Sequence, residues 1–164
     1  MGIYDYNHGV RIPAGVGNRP TAWSKARFAC DYTRLYVVGN DDVNEVFLYS
    51  LPVPEKAVIR QFVMVGNVNA KKKKASISAI LAETKWNKPR AHILHVKMEM
   101  TSDTPYELPN EKQKKIVSPV LPASGPNALI IDRENCYAIQ ARFEATELTN
   151  DDELELVYFE VYWD

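Results

Sequence analysis

Glu153 and Glu155 lie two residues apart, just after Asp151 and Asp152. Two carboxyls on one strand face are the equipment of a glycoside hydrolase, one serving as acid and the other as base or nucleophile. That chemistry needs one of them to hold its proton, through burial or a neighbouring like charge. Here both follow a polar turn and alternate with apolar residues, which predicts an exposed acidic edge that discourages edge-to-edge pairing. His92 and His95 are three apart, a metal-binding spacing on a helix, but on a strand their rings point to opposite faces. His8 is far away in sequence, and no cysteine stands within ligand spacing of a histidine. Ser50, Ser118 and Ser124 have no recognisable base partner. No Gly-rich phosphate loop, nucleophile elbow or Walker pattern occurs. The reading is therefore no enzyme, no catalytic residue, no metal and no cofactor.

The run Lys71-Lys72-Lys73-Lys74 is the loudest local signal. It falls after Gly66-Asn67 and before an alternating segment, where a hairpin tip belongs. Such a tip is either solvated or meets an acidic protein surface. Nucleic acid is the weakest reading, because no aromatics interleave with the lysines for base stacking. Tyr158, Tyr162 and Trp163 could form a sugar-stacking platform, although packing in a core or a subunit interface is the plainer role of a period-two aromatic strand.

These residues must be positioned by strands. Tyr137, Ile139, Ala141, Phe143 and Ala145 alternate with Ala138, Gln140, Arg142 and Glu144. After Thr149-Asn150-Asp151-Asp152, Leu154, Leu156, Tyr158 and Tyr162 alternate with Glu155, Val157, Phe159, Val161 and Trp163. Period two on both sides of a turn signal predicts a long closing hairpin. Upstream, strands are expected at 34–38, 45–51, 58–65, 75–83 and 92–100, and short ones at 116–121 and 128–131. The total is about nine strands with no convincing helix. Residues 101–115 read as a long loop. Regularly spaced short strands around one core mean a sandwich or barrel.

Residues 1–30 read as an extended N-terminal arm ahead of a sandwich domain at 31–164. Four of the seven glycines lie in it, with Pro13 and Pro20. It also carries Ile3, Tyr4, Tyr6, Val10, Ile12, Trp23 and Phe28, too many large apolar groups for a disordered tail. Ordering it costs about 1–2 kcal/mol per residue in backbone entropy, so these side chains must dock, on their own domain or on a neighbouring subunit. The expectation favours a neighbour for at least part of the arm.

Composition bounds the rest. The chain has 164 residues, 46% of them apolar, which fits one domain with a sizeable core. A formal net charge of -1 gives no global basic field for nucleic acid. The charge is uneven: residues 1–82 carry 11 Lys/Arg against 6 Asp/Glu, and residues 83–164 carry 9 against 15. Such asymmetry suits head-to-tail or arm-to-neighbour contacts, or simply a solvated surface. No apolar run approaches the length of a membrane span, and the N-terminus lacks signal-peptide and myristoylation patterns. Cys30 and Cys136 sit in apolar or strand-like stretches and read as buried free thiols of a protein made in a reducing cytoplasm.

The segments Val46 to Leu48, Leu51-Pro52-Val53-Pro54-Glu55-Lys56 and Ala57 to Val63 make a strand, a proline-containing turn and a strand. With Ser124-Gly125-Pro126-Asn127 and the closing strand Asp152 to Val161, this pattern resembles the small jelly-roll decoration or cement proteins of tailed-bacteriophage virions, over residues 43–163. The resemblance implies an all-β, single antiparallel β-sandwich, jelly-roll-like, with the extended arm. It implies a structural role in the virion of a phage, made in the host cytoplasm. The partner would be the major capsid protein, and the protein a homo-oligomer, a trimer by preference. The arm would then meet its partners through Tyr4, Tyr6, Arg11, Arg19, Trp23, Lys25 and Arg27, and the loop tip through Lys71, Lys72, Lys73 and Lys74. The alternative is a non-catalytic module that binds glycan or receptor through a shallow aromatic groove near the 86–90 and 101–115 loops.

Overall fold

Ile77, Ala79 and Leu81 are buried while Ser76, Ser78 and Ile80 between them are not. One buried face per strand is what two stacked sheets require. The computed structural model describes residues 6–20, 24–31, 33–39, 41–71, 74–108 and 112–164. Numbered in chain order, the strands of the smaller sheet are β4 (Val43–Ser50), β6 (Ala75–Thr84), β7 (His92–Thr101) and β10 (Cys136–Ala145), in the spatial order β4-β10-β6-β7. The larger sheet has β1 (His8–Pro13), β2 (Arg27–Cys30), β3 (Leu35–Val38), β5 (Val58–Asn69), β8 (Lys114–Val117), β9 (Leu129–Ile130) and β11 (Glu153–Trp163). Its path is β2-β3-β11-β5-β8, with β1 also on β11 and β9 also on β5. All pairings are antiparallel. This is the expected jelly-roll-like β-sandwich.

The core lies between the sheets. Phe28 of β2, Phe47 of β4 and Phe143 of β10 meet edge to face, with centroids 4.9, 5.2 and 5.6 Å apart. Each such pair adds about 0.5–1.5 kcal/mol beyond area burial. Tyr49 and Phe159 make a similar contact at 5.2 Å. Next to them, Gly17 leaves the room that Tyr49 fills: a Cβ on Gly17 would stand 2.5 Å from the Tyr49 ring.

Several expectations change. Residues 136–145 and 153–163 are not a hairpin: β10 belongs to the smaller sheet and β11 to the larger. Alternation fixes which face a residue uses, not which strand it pairs with. The intervening residues 146–152 are enough to cross the roughly 10 Å between sheets, and Leu148 drops into the end of the core on the way. Nor is β11 an edge, since β5 flanks it on one side and β1 and β3 on the other. A bulge at Val157 resets its parity, because the pairing steps from Leu156 to Tyr158. Leu154, Leu156, Phe159, Val161 and Trp163 therefore all face the core, and Tyr158 and Tyr162 turn outward. Cys30 and Cys136 are free, as read, but both are exposed at strand ends rather than buried.

The described part of residues 1–30 docks on its own domain. β1 pairs with β11 from His8–Trp163 to Pro13–Tyr158. A short 3-10 turn (Ala14–Val16) follows, and Asn18 exchanges backbone hydrogen bonds with Leu48 at the edge of β4. The boundary expected after residue 30 falls inside the β2–β3 hairpin. Val10 and Ile12 take part in the core, which supplies the burial needed to order this segment.

Candidate functional site

In the smaller sheet, the start of β4, the end of β10, the start of β6 and the end of β7 all lie at one end. Antiparallel pairing puts Asn44 beside Glu144, Glu144 beside Ser76, and Ser76 beside Thr101, a continuous outward row across four strands. Ala70, Lys71 and Lys74 from one loop, and Ser102 and Asp103 from another, border this row. Together they enclose an open cleft of about 730 Å3. Its lining includes the apolar Val43, Ala70, Ala75 and Ala145. Its walls carry the carboxylates of Glu99, Asp103 and Glu144, the amines of Lys71 and Lys74, and the hydroxyls of Ser76, Thr101, Ser102 and Thr146. No aromatic side chain lines it among the described residues.

The walls are held from behind. The backbone N–H of Ala70 donates to Ser102 Oγ at 3.0 Å, and that of Lys71 to Asp152 Oδ1 at 3.3 Å. Lys114 is almost wholly buried, and its ammonium donates to the carbonyls of Val68, Thr101 and Ser102 at 2.6, 3.1 and 2.9 Å. Burial pulls its pKa below the ordinary lysine value, against the opposing field of Asp103. Arg142 approaches Glu144 on the same sheet face at 3.4 Å.

Of the loop-tip residues, Lys71 and Lys74 line this cleft, and Lys72 and Lys73 lie outside the described residues. The arm residues are dispersed. Arg11 and Arg19 are paired within their own chain, with Glu160 and with the fully buried Glu45. Tyr6 packs on Tyr162, with centroids 5.8 Å apart. Lys25 and Arg27 are exposed, while Tyr4 and Trp23 lie outside the described residues. Tyr158 is covered by the Arg11 guanidinium at 4.0 Å, and Trp163 is in the core, so the three aromatics do not form one platform. Residues 86–90 and the described residues of 101–115 that follow β7 stand at opposite ends of that strand, about 30 Å apart at the usual strand rise, so among the described residues they form no common groove.

Sequence reasoning missed Asn44, Ser76, Glu99, Thr101 and Glu144. Each is one polar member of an alternating strand, and nothing distinguishes it locally from a solvated neighbour. Among the described residues no group of three His, Cys, Asp or Glu side chains could hold a metal ion. His95 Nε2 meets Glu83 Oε2 at 2.7 Å and His92 Nδ1 meets Thr84 Oγ1 at 2.8 Å, so the two imidazoles serve separate contacts. No helix among the described residues is long and apolar enough to cross a membrane.

No family model and no curated protein matches the chain. Solved structures resemble it in outline. A CBM36 domain of a multidomain xylanase from the hindgut metagenome of Trinervitermes trinervoides has a TM-score of 0.48 at 8% identity, covering 94% of this chain and 96% of that one. The C-terminal CBM6 of a marine laminarinase from Zobellia galactanivorans has 0.47 at 7%, over 94% and 99%. The low-affinity xylan-binding module CBM86 from Roseburia intestinalis has 0.44 at 14%, over 96% and 97%.

Proposed function

We propose that this protein is a non-catalytic β-sandwich module that binds a polyhydroxylated ligand, a glycan of low formal charge, in the cleft at the end of the smaller sheet. The observation that carries the reading is the composition of that cleft. Its volume suits a small ligand, and its lining combines carboxylates, amines, an amide and hydroxyls with small apolar groups. Vicinal sugar hydroxyls both donate and accept, and they match such a mixed wall better than a purely acidic or purely apolar ligand would. With three carboxylates against two amines, the wall has no strong net field to select an ion.

The cleft binds its ligand without turning it over. Two-acid hydrolysis calls for one carboxyl withdrawn from water, and Glu99, Asp103 and Glu144 are all exposed. Recognition by hydrogen bonds alone, without an aromatic platform, predicts weak binding, with Kd on the order of 0.1–1 mM.

The reading as a virion decoration protein, a trimer on the major capsid protein, needs arm cations free for a partner. Arg11 and Arg19 are matched internally, and of the four named arm cations this leaves it Lys25 and Arg27.

The test is titration calorimetry against a panel of neutral oligosaccharides, comparing the wild type with the Asn44→Ala/Glu144→Ala variant. A hit whose affinity falls at least tenfold in the variant supports the reading. Binding that the variant leaves unchanged, or no binding across the panel at millimolar concentration, overturns it.

A further inference from the structure

The opposite end of β7 has a different character. The turn joining β6 to β7 carries Trp86, which is 67% exposed. Two successive backbone turns hold it out: Lys88 N–H donates to the Lys85 carbonyl at 3.0 Å, and Ala91 N–H to the Lys88 carbonyl at 2.9 Å. Residues 85–94 are exposed without interruption, and Leu94 shows 62% of its surface. The register of β7 explains this. Pairing steps from Leu81–Val96 to Ala82–Leu94, and the bulge turns Leu94 away from the core that Val96 enters.

Along the chain, the charge next to Trp86 has one sign. Lys85, Lys88, Arg90 and Lys97 are the charged residues between Glu83 and Glu99, and no acid lies among them. None of the four pairs with a carboxylate among the described residues. Glu83 is turned inward and shared between His95 and Asn135. The neighbouring turn, whose Asn135 accepts from the Trp86 N–H at 3.4 Å, also carries Asp132 and Glu134. Among the described residues, this exposed indole flanked by unmatched cations has no counterpart.

We infer that the Trp86 hairpin is a second binding site, for an anionic polysaccharide. A sugar ring stacks its C–H face on the indole, and its carboxylate or sulfate groups reach Lys85, Lys88 and Arg90. Three cations on one short turn give it a local positive field that attracts such a chain. An exposed tryptophan is what separates this ligand from a simple polyanion, which needs the charges alone. The site does not depend on the cleft reading, because it stands at the other end of β7.

Affinity electrophoresis of the full chain in gels containing polygalacturonate, heparin or neutral dextran tests this. The wild type should be retarded by at least one of the two polyanions and not by dextran, and the pair tells carboxylate from sulfate. Trp86→Ala should weaken retention at least fivefold, and Lys85→Ala/Lys88→Ala/Arg90→Ala should abolish it. Unchanged thermal melts will show that both variants fold, as expected for substitutions in an exposed turn. Retention that survives in Trp86→Ala would mean a plain charge contact and overturn the inference. So would the absence of retention by either polyanion, or binding of the wild type to anionic lipid vesicles alone. The Asn44→Ala/Glu144→Ala variant should be retained as the wild type is, so failure of one site is distinguishable from failure of the other.

Discussion

Arg11 and Glu160 face each other across β1 and β11, with both Nε and Nη2 of the guanidinium on one carboxylate oxygen, at 3.0 and 2.6 Å. The other oxygen accepts from the Tyr162 hydroxyl at 2.6 Å. Burial alone would raise the pKa of Glu160, but the hydrogen bonds from Tyr162 and Arg11 outweigh it, and the carboxyl is held below its ordinary value. A depressed carboxyl stabilises the fold above the ordinary carboxylate range, and that contribution is lost as pH falls through the folded value. Tyr162→Phe should cost about 2 kcal/mol near neutrality, and its acid unfolding should begin at higher pH. Arg11→Ala should cost about 1 kcal/mol, because the outer side of the guanidinium is in water. Urea titrations at a series of pH values measure both effects. An acid transition unmoved in Tyr162→Phe would deny Glu160 this role.

The same contact makes an opposite prediction in alkali. Burial, and then the bond to Glu160, pushes the Tyr162 phenol up to about 12 from its ordinary value of 10.0. A raised folded pKa means stability that is complete below the unfolded value and is lost as pH rises through the folded one. The wild type should therefore lose stability relative to Tyr162→Phe between about pH 10 and 12. The tyrosinate absorbance of the folded wild type should show one phenol titrating near pH 12 that the variant lacks.

Glu45 is fully buried and depends on Arg19, which meets both of its oxygens, and on Ser24, whose N–H and hydroxyl both donate to Oε1 at 2.7 Å. Removing one partner of a buried pair leaves an uncompensated charge and costs about 3–5 kcal/mol. Arg19→Met should show a loss of that size in equilibrium unfolding. Arg19→Met/Glu45→Met should recover most of it, because an apolar pair leaves no charge unmatched. If the double variant is no more stable than the single, the cost comes from lost packing.

The strands of this fold were legible because alternation reports burial directly. Ile77, Ala79 and Leu81 could be assigned to a core face from spacing alone. Partners were not legible. Phe143 and Phe159 look like two sides of one hairpin, yet they lie in opposite sheets. The bulges at Val157 and near His95 invert the parity that alternation relies on, and they hid both the outward Tyr158 and the exposed Leu94. The charge asymmetry was real, but much of it is spent within the chain, where Arg11, Arg34 and Arg60 meet Glu160, Glu155 and Asp164. Of the cleft, only the lysine run stood out. Its remaining walls are joined by pairing across four strands, which no local pattern encodes.

Lys114 is the residue behind that cleft. Its ammonium gathers three carbonyls from the end of β5 and the 101–104 turn, two of them belonging to cleft residues. Lys114→Met keeps the chain length and leaves those carbonyls without their donor, at a cost of about 3 kcal/mol. Hydrogen exchange should show where this falls. The Ala70 N–H, which donates to Ser102 Oγ, should exchange faster, while amides of the β10–β4 pairing follow global stability only. Affinity for the cleft ligand should fall with the same variant. Uniform acceleration of exchange across the sandwich would instead make Lys114 a purely global contributor.

Gly17 and Tyr49 offer a test of how the N-terminal segment is locked to the domain. Tyr49 is 2% exposed, and its hydroxyl donates to the Ala14 carbonyl at 2.9 Å. A Cβ on Gly17 would stand 2.5 to 2.8 Å from the nearest atoms of that side chain, closer than packing allows. Gly17→Ala should therefore cost about 1–3 kcal/mol through overpacking, and Tyr49→Phe about 1 kcal/mol through the lost hydrogen bond. The decisive measurement is Gly17→Ala in a Tyr49→Leu background. If the cost of the alanine is a steric conflict with the ring, it should shrink once the ring is gone, giving a coupling of at least about 1 kcal/mol between the two positions. Additive costs would mean that the glycine is needed for the path of the backbone and not for the room it leaves.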